Sequence, residues 1–275
     1  MDLGMRGKSV IVTGGSGGIG RGIVLSFARE GCNVVIAARD RQQGQRVAEA
    51  TRDLDGEAVV VPTDVTNWDS VQEMVSETIR RFGRVDVLVN NAGGTNQPRP
   101  FVETPREEWQ WQINLNIWGV LNCTRAVADD MLGRGAGSIV NITSNSALSA
   151  EAGNYVTTYG GTKGYVMALS KNLAYEWGPK GLRINCVAPG WIVPWEEDQV
   201  SGDSFWRKYG YEFFGTPDQM AKQAEQGQMF NVSNQPIKRI GRPEDIGDIA
   251  VFLASDKAKH ITGQLISVSG GQWMP

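Results

Sequence analysis

Histidine is nearly absent from this chain: His260 is the only one in 275 residues. A nucleophile–histidine–acid triad would have to use it, yet it lies in the polar, turn-like stretch DKAKHITG, where a surface position is expected. Cysteine is almost as scarce. Cys32, Cys123 and Cys186 are an odd number scattered among apolar neighbours. They read as small buried hydrophobes in a reducing compartment, not as a disulfide set or a metal site. No run of about 18 apolar residues occurs, so no membrane-spanning helix is expected. A large excess of either charge is also lacking. Lys and Arg number 27 and Asp and Glu 30, a net −3, which does not suggest non-specific nucleic-acid binding. No basic-then-apolar leader precedes the first strand-like run, and a cytoplasmic location is the expectation.

Alternating short apolar runs and longer periodic stretches fill the chain. SVIVT (9–13), NVVIA (33–37), AVVV (58–61), VDVLV (85–89), SIVNIT (138–143), RINCVA (183–188) and LISV (265–268) read as strands buried on both faces. Helices are expected from Gly18 to a stop at Gly31, from a cap at Asn67 to Gly83, over roughly 105–132 and 155–177, and over 243–254 behind Pro243. Strand–helix alternation implies parallel pairing with right-handed crossovers. The expected fold is α/β, a Rossmann-like doubly wound parallel sheet of about seven strands with helices on both faces. A chain this long, with no repeat, linker or low-complexity tract, is expected as one domain over 1–275.

TGGSGGIG (13–20) fits two glycine registers. Gly15, Gly17 and Gly20 match G-x-G-x-x-G, whereas Gly14, Gly18 and Gly20 match T-G-x-x-x-G-x-G. In either, the turn leaves a strand without Cβ atoms in the way and points a helix N-terminus at a pyrophosphate. Strand two ends in IAARD. No carboxylate stands at the strand end to hold ribose hydroxyls, and Arg39 offers a guanidinium suited to a 2′-phosphate. NADP is therefore preferred, with NAD the alternative left open by the nearby Asp40.

Further along, YGGTK places Tyr159 and Lys163 four residues apart in a helical stretch, on one side of it. NITS ends strand five with Ser144 at the carboxyl edge of the sheet, and NIWG carries Asn116. With TGGSGGIG, DVT (64–66), NNAG (90–93), NCVAPG (185–190) and GRPED (241–245), these motifs stand in the order and approximate spacing of the short-chain dehydrogenase/reductase family, which the chain resembles over nearly its whole length.

That resemblance implies the T-G-x-x-x-G-x-G register and hydride exchange between a nicotinamide cofactor and a secondary alcohol or ketone. It implies Tyr159 as general acid and base, with Lys163 lowering the phenol's pKa and holding the nicotinamide ribose. Ser144 would bind the substrate oxygen, and Asn116 would hold a water linking Lys163 to solvent. Gly14, Ser16, Gly18, Ile19 and Gly20 would cradle the phosphates. Asp64 and Val65 would flank the adenine, Asn90 would lie beside its ribose, and the Ile192 backbone would meet the carboxamide. Three departures stand out. Ser144 precedes Tyr159 by fifteen residues, slightly more than usual, leaving Ser146 as rival for the catalytic serine. Pro194 replaces a threonine that helps hold the cofactor. Ser269 stands where the family often has an aspartate.

Residues 191–236 read as a substrate lid. They hold nine aromatic side chains, including Trp191 and Trp195, which are expected to touch a bulky, apolar or ring-containing substrate. The same rings could instead form a core of the lid or a subunit contact. The runner-up activity is reduction of 3-oxoacyl thioesters. A reading of another class, a non-catalytic nucleotide sensor, sits poorly with an intact Asn116, Ser144, Tyr159 and Lys163. The helices at 105–132 and 155–177 carry apolar residues on more than one face, Trp118, Val120, Leu121, Val166, Met167 and Leu169 among them, so a homo-oligomer, a tetramer by family resemblance, is expected.

Overall fold

The computed structural model describes residues 2–149, 155–194, 199–202, 204–226 and 235–274. The seven apolar runs become strands β1 (Ser9–Thr13), β2 (Asn33–Ala38), β3 (Ala58–Pro62), β4 (Val87–Asn90), β5 (Gly137–Ile142), β6 (Leu182–Pro189) and β7 (Leu265–Val268). They form one sheet in the order β3-β2-β1-β4-β5-β6-β7, every pair parallel. The helices are α1 (Gly18–Arg29), α2 (Arg41–Glu49), α3 (Trp68–Phe82), α4 (Arg106–Ile113), α5 (Gly119–Arg134), α6 (Thr157–Trp177), α7 (Tyr211–Phe214), α8 (Pro217–Glu225) and α9 (Pro243–Ala254).

The two-residue period of each strand divides the core into two layers. Val10 and Val12 of β1 and Val34 and Ile36 of β2 face α1, α2 and α9, against Ile23, Phe27, Val47 and Ala250. The intervening Ile11, Val35 and Ala37 face α3, α5 and α6, against Val71, Met74, Val127 and Met131. Apolar residues at both parities are what a sheet covered by helices on both sides requires. Cys32, Cys123 and Cys186 are buried thiols in this core, and His260 is exposed.

Helix ends follow their local chemistry. Asn67 caps α3 by accepting the Ser70 N–H at 2.9 Å, and Gly83 ends it at φ 82°. The stretch expected as one helix over 105–132 is instead α4 and α5 joined by a π-helical turn, Asn114–Trp118. Among the described residues no helix is long and apolar enough to cross a membrane. Along α5 and α6, Val120 and Val166 turn inward, whereas Trp118 on the π turn and Tyr165 and Tyr175 on α6 are exposed.

From β1 the chain runs outward through β2 and β3, then returns to β4 on the other side of β1. Such a reversal opens a crevice at the carboxyl ends of the strands.

Candidate active site

A cleft of about 680 Å³ occupies that crevice. Its floor begins with the turn from β1 into α1. Gly14 and Gly18 adopt left-handed φ values of 64° and 51°, and a Cβ on Gly20 would fall 2.0 Å from the Gly14 carbonyl oxygen. These three positions belong to the T-G-x-x-x-G-x-G register. Nothing lies within 4 Å of the Cβ direction of Gly18, which opens into the cleft with Ser16 and Ile19. α1 has no side-chain cap at Gly17 and no acidic residue in its first turn, so its first N–H groups suit a bound phosphate. The loop fits a dinucleotide.

Arg39, exposed, together with Asp64 and Val65 lines the neighbouring wall. Asp40 lines it as well, but its carboxylate accepts the Gln43 N–H at 2.9 Å as the cap of α2. One Asp64 oxygen accepts both the N–H and the hydroxyl of Thr66. Asn90 departs from its expected place. Its side chain is buried away from the cleft and donates to Asn141 at 2.8 Å and Thr124 at 3.1 Å, and Asn141 in turn donates to Ser170. The last residue of β4 points into the α5–α6 layer, and the next residue, Asn91, reaches the cleft instead.

At the other end α6 sets Tyr159 and Lys163 one turn apart on the cleft wall. Ser144, directly after β5, hydrogen-bonds the Tyr159 hydroxyl. Ser146 does not line the cleft, and its carbonyl packs against Gly160. The Lys163 ammonium is buried, donates to the Ile142 carbonyl at 2.9 Å and lies 5.7 Å from the centre of the Tyr159 ring. Burial pushes the Lys163 amine down to about 8. Burial also raises the Tyr159 phenol above its ordinary value, opposed by the Ser144 hydrogen bond. Both groups are desolvated, and the ammonium donates to a main-chain carbonyl.

Asn116 sits in the π turn and is fully buried. Its amide donates to the Gly94 carbonyl at 2.9 Å and to Thr162 at 3.1 Å, and its oxygen accepts the Gly94 N–H at 2.9 Å. The side chain thus clamps the loop after β4 to α6. A Cβ on Gly93 would lie 2.9 Å from both the Asn116 oxygen and the Lys163 nitrogen, so these two groups converge on one point.

Ile192 lines the cleft and bridges to Gly241. Trp191, its neighbour at a bend, does not line the cleft, contrary to expectation. Trp195 lies outside the described residues. The apolar wall comes instead from Phe205, Trp206 and Tyr209 in the lid and Trp111 and Leu115 from α4 and its π turn. The signal for the last two was present: Glu107, Trp111 and Leu115 are four apart, on the helical run that leads to Asn116. Trp206 has a second contact. With Tyr211 it packs on Val193, Met220 and Ile240, a small core belonging to the lid.

A parallel sheet with a glycine turn at its switch point, and a serine, tyrosine and lysine at the far end of the same cleft, define a dinucleotide-dependent oxidoreductase. The family model described as short chain dehydrogenase matches residues 8–198, and one described as enoyl-(acyl carrier protein) reductase matches residues 215–272. The chain belongs to the short-chain dehydrogenase/reductase family. It is 38% identical over 270 residues to a 3-oxoacyl-(acyl-carrier-protein) reductase of Staphylococcus epidermidis, covering 97% of this chain and 99% of that one. It is 38% identical over 275 residues to an L-fucose dehydrogenase of Bos taurus, covering 98% and 92%. Among solved structures, a 7α-hydroxysteroid dehydrogenase complexed with NADH and 7-oxo glycochenodeoxycholic acid superimposes with a TM-score of 0.82 at 31% identity, covering 98% of this chain and 96% of that one. The protein is an oxidoreductase that acts on CH–OH and C=O groups with a nicotinamide dinucleotide.

Proposed function

We propose that the protein interconverts a ring-bearing secondary alcohol and its ketone with NADP(H). The observation that carries this reading is the apolar wall of Trp111, Leu115, Phe205, Trp206 and Tyr209 in the same cleft as Ser144, Tyr159 and Lys163. When bound, the nicotinamide supplies or accepts the hydride. Ser144 orients the substrate oxygen and hydrogen-bonds the charge that develops there. Tyr159 gives up its proton to that oxygen in reduction and takes it back in oxidation. Lys163 stabilises the phenolate and holds the ribose. Asn116 keeps the Gly93–Gly94 loop beside Lys163. Gly14, Ser16, Gly18, Ile19 and Gly20 hold the phosphates, Asp64 and Val65 the adenine, and Ile192 the carboxamide. In this reading 1–275 is one dinucleotide-binding domain, with the lid at 191–236 closing on substrate.

Arg39 favours NADP, since the neighbouring carboxylate, Asp40, is engaged as a helix cap. Arg39→Ala is expected to raise KM for NADPH roughly tenfold or more, the scale of a hydrogen bond between charged groups, and to leave KM for NADH nearly unchanged. A wild type that uses both cofactors equally, or prefers NADH, would contradict the assignment. The Staphylococcus relatives favour a second reading, reduction of a 3-oxoacyl thioester. A panel of cyclic ketones, cyclic alcohols, sugars and a 3-oxoacyl thioester, followed by nicotinamide absorbance, separates the two. The highest kcat/KM should fall on a ring-bearing substrate, and a highest value on the thioester selects the second reading.

The exposed Trp118, Tyr165 and Tyr175 along α5 and α6 support self-association, which we place at a tetramer. Light scattering at micromolar concentration should give a multiple of the 30.0 kDa chain mass; the mass of one chain would refute it.

A further inference from the structure

Ser144 stands just past the end of β5, and the chain on its two sides is tied down by different means. Before it, the N–H and the hydroxyl of Thr143 both donate to the Val187 carbonyl of β6, at 2.7 and 3.0 Å. After it the strand has ended, and the chain enters the short turn Asn145–Ala147. Within that turn the Ser146 N–H donates to the Ser144 hydroxyl at 3.1 Å, so the place of the turn bears on the place of the hydroxyl. The turn is anchored by a side chain. Asn145 is only 7% exposed, and its oxygen accepts the Ser267 hydroxyl of β7 at 3.5 Å.

Ser267 is held in turn by the chain after β7. Its hydroxyl lies 2.9 Å from that of Ser269, and the two reach the Trp273 carbonyl at 3.1 and 3.3 Å. The Trp273 N–H donates back to Ser269 at 3.3 Å. A carboxylate at 269 could only accept and would face the Trp273 carbonyl, whereas a hydroxyl both accepts from Trp273 and donates to it. The same cluster backs the cleft wall at Gly190, where a Cβ would lie 2.8 Å from the Ser269 Cβ and 3.2 Å from the Asn145 amide nitrogen. That nitrogen is buried and has no hydrogen-bond partner among the described residues. An unpaired buried donor costs stability, and an apolar residue would avoid the cost. Keeping an amide at such a place is what a functional requirement does.

We propose that Asn145 is a positioning residue for Ser144. Held by Ser267, and through it by Ser269 and the main chain of Trp273, it fixes the turn and so the direction in which the Ser144 hydroxyl meets the substrate oxygen. The end of the chain thereby acts on the reaction without touching substrate or cofactor. The inference rests on the reading above of Ser144 as the group that binds the substrate oxygen.

The test is a double-mutant cycle on kcat with the best ketone of the panel, in the wild-type and Ser144→Ala backgrounds. Asn145→Ala should lower kcat by about tenfold or more, since a misplacement of about 1 Å can cost about 10²-fold, and leave KM for NADPH unchanged. Ser267→Ala, one contact further away, should lower kcat by a smaller factor in the same direction. In the Ser144→Ala background neither change should matter, because no hydroxyl remains to be misplaced. A loss as large without the Ser144 hydroxyl as with it overturns the inference. So does a wild-type kcat in Asn145→Ala, or a loss confined to KM for NADPH. Should Asn145→Ala fail to fold, Ser267→Ala carries the same comparison, with the same overturning results. All of these leave the reading of Ser144 intact. A Ser144→Ala protein with wild-type kcat overturns that reading, and this inference with it.

Discussion

Replacing Tyr159 with Phe is expected to lower kcat by about 10²–10⁴, the usual contribution of a positioned proton donor, while dinucleotide affinity stays nearly unchanged. The substitution removes one oxygen. The ring still fills its half-buried place on α6, and the glycine turn at the other end of the cleft is untouched. What disappears is the phenolic proton and the hydrogen bond to Ser144. A loss of less than about tenfold would remove Tyr159 from proton transfer. Steady-state kinetics beside a cofactor titration separates the two effects.

Lys163→Met should be nearly as damaging to turnover and should raise KM for the cofactor, since one ammonium both stabilises the phenolate and holds the ribose. Its effect on stability has the opposite sign. The amine titrates at about 8 in the folded protein against 10.5 in the unfolded chain. Between those values the unfolded chain binds more protons, so this group makes folding more favourable as pH rises. Below about 8 both states are charged, and the buried ammonium costs the fold on the order of 3 kcal/mol. Relative to Lys163→Met, the wild type should therefore gain stability from about pH 8 towards about pH 10.5. Comparing the pair at each pH cancels the opposing effect of the buried Cys32 and Cys123 thiols, whose raised pKa values weaken the fold in alkali. Urea unfolding of both proteins across this range measures it. A difference that does not change with pH would show that Lys163 is not held in an environment that disfavours its charge. A catalytic cation that destabilises its own fold is the trade-off expected of a functional site.

Much of this was legible in the sequence. Apolar runs with branched side chains at both parities announced strands covered on two faces, and the sheet contains them within a residue or two of their expected limits. Asn67 and Gly83 marked the ends of α3 because their cap chemistry is local. Tyr159 and Lys163 needed only helical spacing, and Ser144 only its place at the end of β5. Features that depend on tertiary contact were not legible. The π turn that swings Asn116 inward has no signature in NLNIW, so a single long helix was expected. Asn90 read as a cleft residue, although neighbouring Asn141 and Thr124 draw it into the core. Trp191, at a bend, stays out of the cleft, and the aromatic wall comes from Trp111 and the later lid residues. No rule of spacing says that Gly17 is a glycine on account of a lid nearly two hundred residues away.

The central claim is that this cleft transfers hydrogen between a nicotinamide and a carbonyl carbon, with Tyr159 supplying the proton. It is tested most directly by reducing the best ketone of the panel with NADPH deuterated at the reactive position of the nicotinamide, in ordinary water, and locating the label by mass spectrometry. The account predicts one deuterium on the carbinol carbon of the alcohol and none on its oxygen, with product formation collapsing in Tyr159→Phe. Alcohol formed without deuterium on that carbon, or formed equally well without the Tyr159 hydroxyl, would contradict it.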